Sequence, residues 1–313
     1  MTNSEARTFI SRGLETEIEE LRRLAPQKRC FELGTFVLLW GAGLKLVHLG
    51  REHSSLLLAV GVFTIALALN AFVLLLHEGM HQTLFKRRGL NDLLSVLLGS
   101  SVAMSYTAYK VMHLEHHTHL GDENDPDDYH NYTDSKTLVW LFHGVRVLAG
   151  SPLYLFLIPF KAWKLADREN RKRILGEYLY IVSLYLSLAL TVPTTDLCHF
   201  HFWPLLLVGF MVNLRGFTQH GLAVPEDPYL ASRSIHAHPV VAFLLLNENY
   251  HLEHHLFPEI PSYNLKKLHL LIWSRLPRAV KNDSYSEFLL ASLKAAPQLD
   301  ESPIGVVIPD PIP

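Results

Sequence analysis

The sequence predicts an all-α, polytopic membrane protein, with four transmembrane helices and a cytoplasmic helical cap. Three observations predict it. Residues 54–76 form a run of 23 residues without a charge, and 178–195 and 197–214 add two runs of 18 separated only by Asp196. Charged residues make up 19% of the chain, below the roughly 25% of soluble domains. Histidine occurs 19 times in 313 residues, more often than Phe (16) or Gly (17), and many of the imidazoles fall in tight clusters.

The elements follow in order. Residues 1–29 are polar, without the apolar core of a secretory signal. Ile10, Leu14, Ile18, Leu21 and Leu24 recur at helical spacing, so 1–30 is expected as one amphipathic helix lying on the membrane or on the cap. Span one, 31–49, carries Glu32, Lys45 and His48, and Lys45 can snorkel from near an end. Span two, 54–76, is about 34 Å long as a helix and crosses a hydrocarbon core of about 30 Å. Spans three and four, 178–195 and 197–214, form a hairpin about the Pro-Thr-Thr-Asp turn at 193–196. Two ambiguous stretches, 93–109 and 137–160, are polar-flecked or interrupted by Arg146 and are expected at the interface. Residues 31–275 hold the four spans and the segments that join and follow them, and 276–313 are expected as a cytoplasmic tail whose end, with Pro303, Pro309, Pro311 and Pro313, is extended.

Charge sets the orientation. Residues 1–30 hold six Lys/Arg, 86–88 hold three and 161–173 hold six, whereas the connections 50–53 and 193–198 hold only Arg51. The positive-inside rule therefore puts both ends and the long middle segment in the cytoplasm. Net charge of -2 offers no field for nucleic acid, and mean hydropathy of +0.15 excludes a disordered chain. Two cysteines, Cys30 and Cys198, exclude a disulfide scaffold, a four-cysteine zinc site and an iron–sulfur cluster.

Four histidine clusters stand out: His77-Glu-Gly-Met-His81, His113-Leu-Glu-His116-His117, His220 at the end of Arg215-Gly-Phe-Thr-Gln-His220, and His251-Leu-Glu-His254-His255. On a helix, positions i, i+3 and i+4 fall within an arc of about 100°, so each HxxHH aims three imidazoles at one point. Parity ties the clusters to the topology. If 93–109 crossed, the second cluster would be stranded outside; if 137–160 crossed, His220 would be. With neither crossing, all nine histidines lie on one membrane face. Nine imidazoles exceed the three or four of a tetrahedral zinc and suit two ions of octahedral range with open positions, a histidine-rich di-metal site. Glu78, Glu115, Glu253 and the acids from Asp122 to Asp128, Asp125 among them, are candidates to orient the ring N–H groups. His48, His53, His130, His143, His199, His201 and His269 read as ordinary packing residues, and His119, His236 and His238 stay open. His77-Glu78-Gly-Met-His81 also fits the HExxH of a zinc protease, but that chemistry leaves both HxxHH clusters without a role. A metal carrier is the non-enzymatic alternative.

At these residues the chain resembles the membrane fatty acid desaturase superfamily, which includes hydroxylases, acetylenases, terminal-alkene-forming decarboxylases and carotenoid ketolases. The three boxes HxxxH, HxxHH and HxxHH match 77–81, 113–117 and 251–255. The flanks match as well, in His119-Leu-Gly-Asp-Glu-Asn-Asp-Pro-Asp and Asn249-Tyr-His-Leu-Glu-His-His-Leu-Phe-Pro258, and His220 resembles the family's additional histidine. The likeness covers about 30–275. It implies four membrane helices under a cap holding two non-haem irons, with His77, His81, His113, His116, His117, His220, His251, His254 and His255 as ligands. Asn249 and Asn247 are implied as neighbours of the ligands.

An alkyl C–H bond has no acid–base handle, so a cofactor must carry its chemistry. The implied reaction is removal of two hydrogens from a fatty acyl chain, with O2 as co-substrate. Trp40, Trp140, Trp163 and Trp203 are candidate tunnel residues as well as ordinary interface anchors. Arg215 and 171–173 could meet a head group, but a solvated positive-inside face is the favoured reading. The chain has no haem-binding His-Pro-Gly-Gly and no Gly-rich dinucleotide fingerprint. An external donor, a ferredoxin, rubredoxin or small haem protein with its reductase, is therefore expected.

Overall fold

The computed structural model describes residues 2–307; Pro309, Pro311 and Pro313 of the expected tail lie outside them. The chain is mainly helical: α1 (Asn3–Ser11), α2 (Glu15–Arg22), α3 (Pro26–His53), α4 (Ser55–Met80), α5 (Arg88–Ser100), α6 (Tyr106–His119), α7 (Lys136–Leu165), α8 (Arg168–Thr191), α9 (Thr194–Leu197), α10 (Trp203–His220), α11 (Pro239–Leu244), α12 (His251–Leu256), α13 (Ser262–Ile272) and α14 (Tyr285–Ala295). Three short strands, β1 (Arg233–Ile235), β2 (Ala279–Asn282) and β3 (Val306–Val307), make one sheet in that order, with β1 parallel and β3 antiparallel to β2. Two compact units emerge. One comprises 25–113 and 149–213; the other comprises 1–24, 114–148 and 214–313.

Among the described residues, four helices are long and apolar enough to cross a membrane: Pro26–His53, Ser55–Met80, Arg168–Thr191 and Thr194–His220. The fourth runs from α9 into α10 through a π-turn at Cys198–Phe202. Leu38, Leu186 and Leu190 stand exposed on these helices, as side chains facing lipid must. Ser54 caps α4 by accepting from Leu57 N–H, and Asp167 caps α8 by accepting from Asn170 N–H. The expected third span, 178–195, ends at Thr191, where Pro193 removes the N–H that continuing the helix would need. Arg51 and Asp196 form an ion pair. The stretch 93–109 is split between α5 and α6 by the turn at 101–105, too short to cross.

α3 and α4 pack through small residues. A Cβ on Gly50 would stand 2.2 Å from Leu58 N, and one on Gly61 would stand 2.6 Å from Val47 N. Buried Arg29 reaches Glu32 at 2.7 Å and pairs with Glu78, so α3 is pinned to the end of α4. That end is closed by Asn91 Nδ2 and the Tyr106 hydroxyl, which donate to the Gly79 carbonyl at 2.9 and 3.1 Å.

In the other unit the single expected amphipathic helix is two. Gly13, at φ +73, breaks it between α1 and α2, a conformation that costs glycine little. Its apolar stripe is not free for a membrane: Ile10, Leu14 and Ile18 are buried in a protein core with Phe257, Leu265 and Leu268. Residues 276–307 also differ from the expected tail. They carry β2, α14 and β3, and Phe288 of α14 is fully buried. Short apolar runs such as 279–280 and 288–290 do not stand out beside four membrane spans; the first lies in β2 and the second in α14.

Candidate metal centre

The histidine clusters sit at helix ends. His77 and His81 close α4, His113, His116 and His117 lie in the second half of α6, His220 ends α10, and the third cluster makes up nearly all of α12. In the unit containing α12, four imidazoles converge. Nε2 of His220 lies 2.9 Å from Nε2 of His251 and 3.2 Å from that of His255, and the latter two are 3.2 Å apart. Ligand atoms of His116, His220 and His255 lie within 4.8 Å of one another.

Tautomers follow from the partners on the far side of each ring. His116 Nδ1 donates to Asp125 Oδ1 at 2.9 Å, His220 Nδ1 to the Ala231 carbonyl at 3.2 Å, and His251 Nδ1 to Glu248 Oε2 at 3.3 Å. Carbonyl and carboxylate oxygens only accept, so each Nδ1 keeps its proton and each Nε2 presents a lone pair. Lone pairs facing one another at about 3 Å repel unless a cation stands between them. Metal–nitrogen bonds of about 2.1 Å put adjacent octahedral ligands about 3.0 Å apart, and tetrahedral ones about 3.4 Å. The observed spacings fall in that range, and the donor set fits a metal ion.

The same unit holds another close pair, His117 and His254, with Nε2 atoms 3.2 Å apart. In the membrane unit, Nε2 of His81 and His113 approach to 2.8 Å, and the His77 ring lies 5.1 and 4.5 Å from theirs. Burial, then the neighbouring imidazoles, holds His255 well below its ordinary pKa, keeping it neutral as a ligand must be. At His116 burial works the same way, but the hydrogen bond and charge of Asp125 prevail and the shift is upward.

Asp125, one of the expected orienting acids, thus accepts from His116 Nδ1. The other expected orienting groups take these partners. Glu78 pairs with Arg29 and accepts from Thr83, Glu115 lies 3.4 Å from His119 Nε2, and His119 Nδ1 donates to Asp122 at 2.8 Å. Glu253 turns to Ser234 and His269, and Asn249 Nδ2 donates to the Ile235 carbonyl at 2.9 Å, tying the third cluster to β1. Asn247 takes a left-handed turn, φ +61, just before that cluster. Sequence reasoning missed Glu248 and the Ala231 carbonyl. Glu248, three residues before His251, was open to the same i, i+3 arithmetic; a backbone carbonyl eleven residues from its histidine leaves no signal. Of the candidate head-group residues, Arg171 donates to the Trp163 carbonyl at 2.9 Å and Arg173 lies 3.4 Å from Glu169.

Comparison with known proteins gives the family. The chain is similar to an sn-1 oleoyl-lipid 12-desaturase of Anabaena variabilis, 24% identical over 299 residues, covering 84% of this chain and 83% of that one. It is also similar to an sn-1 oleoyl-lipid 12-desaturase of Synechocystis sp. (strain ATCC 27184 / PCC 6803 / Kazusa), 24% identical over 218 residues and 62% of each chain. The family model of the fatty acid desaturases matches residues 54–286, which include all three histidine boxes and His220. With four apolar helices of membrane length and a histidine cluster able to hold metal, the chain belongs to the fatty acid desaturase family of oxidoreductases.

Proposed function

We propose that this chain is a membrane-bound, O2-dependent desaturase that introduces a double bond into a fatty acyl chain carried on a lipid, with two non-haem irons as cofactor. The observation that carries this reading is the convergence of Nε2 atoms on one centre, with ring protons turned outward to Asp125, Glu248 and Ala231. Of the nine expected ligands, His116, His220, His251 and His255 would hold one iron. When bound, the irons would supply the oxidising power, drawn from dioxygen, two external electrons and two protons, by which two hydrogens leave adjacent acyl carbons and two waters are formed.

The protein's own part is placement and exclusion. His77, His116, His251, His254 and His255 are all buried, so water has little access to the ligand atoms. Asp125 and Glu248 fix ring orientation, and carboxylate partners of this kind raise ligand basicity. The uncharged faces of the spans offer the acyl chain an apolar route, where an error of about 1 Å in placing the reacting carbon costs about 100-fold in rate. The oleoyl-lipid names of the two relatives support an acyl-lipid substrate. Electrons would come from a ferredoxin, rubredoxin or small haem protein with its reductase. The Lys/Arg distribution supports a site and both termini on the cytoplasmic face, and the family match over 54–286 supports a catalytic domain of about 31–275.

The test is product analysis. Lipids from cells expressing the chain should contain acyl chains lighter by two hydrogens, absent when His255 or His116 is replaced by alanine. A hydroxylated product with no new double bond would overturn the reading.

A further inference from the structure

His269 of α13 read as a packing histidine in the sequence, and the metal site makes no direct use of it. Its surroundings are specific. The ring lies 5.0 Å from that of Tyr250 and 4.9 Å from that of Trp273, and Nδ1 donates to Glu253 Oε1 at 2.5 Å. Glu253 is fully buried and also accepts from the Ser234 hydroxyl of β1. This carboxylate is the central residue of His251-Leu-Glu-His254-His255, and its two bonds join α12 to a strand on one side and a helix on the other.

Such a brace has work to do. α12 has six residues, and a helix this short does not hold its own geometry in water. The fan of imidazoles from His251, His254 and His255 depends on that geometry. Ile235 N–H donating to the Asn249 carbonyl at 2.8 Å, and Gln219 Nε2 donating to the Glu248 carbonyl at 2.8 Å, fix the approach to the helix. The bonds to Glu253 act inside it. Hydrogen bonds to an ionised carboxylate in a dry setting are among the stronger kinds, which suits them to fixing a helix rotation.

We propose that His269 is a positioning residue for the third histidine cluster, acting with Ser234 through Glu253 to set the rotation of α12 so that its imidazoles meet the metal. The inference rests on reading the cluster as a metal site. Three variants of the full chain in detergent test it. His269→Phe keeps the ring between Tyr250 and Trp273 and loses the donor. His269→Asn puts an amide N–H where Nδ1 stood, and Ser234→Ala removes the second donor. Metal affinity is read by competition with a chelator, and ligand geometry by the visible spectrum of cobalt(II)-loaded protein. His269→Phe should weaken metal binding about 10-fold or more and alter the cobalt spectrum with helix content unchanged. His269→Asn should restore both, and Ser234→Ala should alter the spectrum in the same direction. Wild-type affinity and spectrum in His269→Phe would overturn the proposal, as would equal losses in the Phe and Asn variants with an unaltered spectrum. If His269→Phe does not fold, an unaltered spectrum in Ser234→Ala overturns it instead. Wild-type protein that takes up neither cobalt nor iron would sink the metal reading itself, a separate result from a variant that binds normally.

Discussion

At the scale of residues, the centre depends on which nitrogen of each ring holds its proton. Asp125 holds the proton of His116 on Nδ1 and points Nε2 inward. Asp125→Ala should therefore lower metal affinity by about 10–100-fold, measured by chelator competition, while Asp122→Ala, on the half-exposed His119, should leave it near wild type. The imidazoles themselves were legible from i, i+3 and i+4 spacing, because helical geometry is local. Their partners were less so. Glu253 lies in the box and was expected to serve a ligand, but it turns away from the box to Ser234 and His269, contacts that only the fold brings together.

At the scale of elements, run length located the membrane helices because crossing a bilayer demands about 20 apolar residues whatever the fold. The break at Gly13 escaped the same reading, since the apolar spacing continues across it from Ile10 to Leu14 to Ile18. The C-terminal strand and helix escaped too, because two- to four-residue strands carry too little periodicity to register. Packing of α3 on α4 rests on close approach at glycine, the device by which membrane helices gain contact without a hydrophobic drive. Gly50→Ala and Gly61→Ala should each lower the melting temperature in detergent, because a methyl group there meets backbone rather than a movable side chain. Gly34→Ala, with nothing within 4 Å of its Cβ, should leave it unchanged.

At the scale of the whole molecule, stability should depend on pH through histidines buried in their neutral form. His143 lies beside Tyr129 and Phe217, and burial, then the charge of Arg146, lowers its pKa from 6.5 to about 3. The unfolded chain therefore binds a proton near 6.5 that the folded chain refuses until about 3. This stability is full above 6.5 and drains away as the pH falls toward 3, and His255 shifts the same way. Metal-free protein should melt at falling temperature between pH 6.5 and 4, and His143→Phe should flatten part of that slope. The most direct test of the account is the metal content of purified, active protein by elemental analysis. It predicts two irons per chain, falling toward one in parallel with activity when His116, His220 or His255 is replaced by alanine. A single zinc per chain, or two irons retained in all three variants, would contradict it.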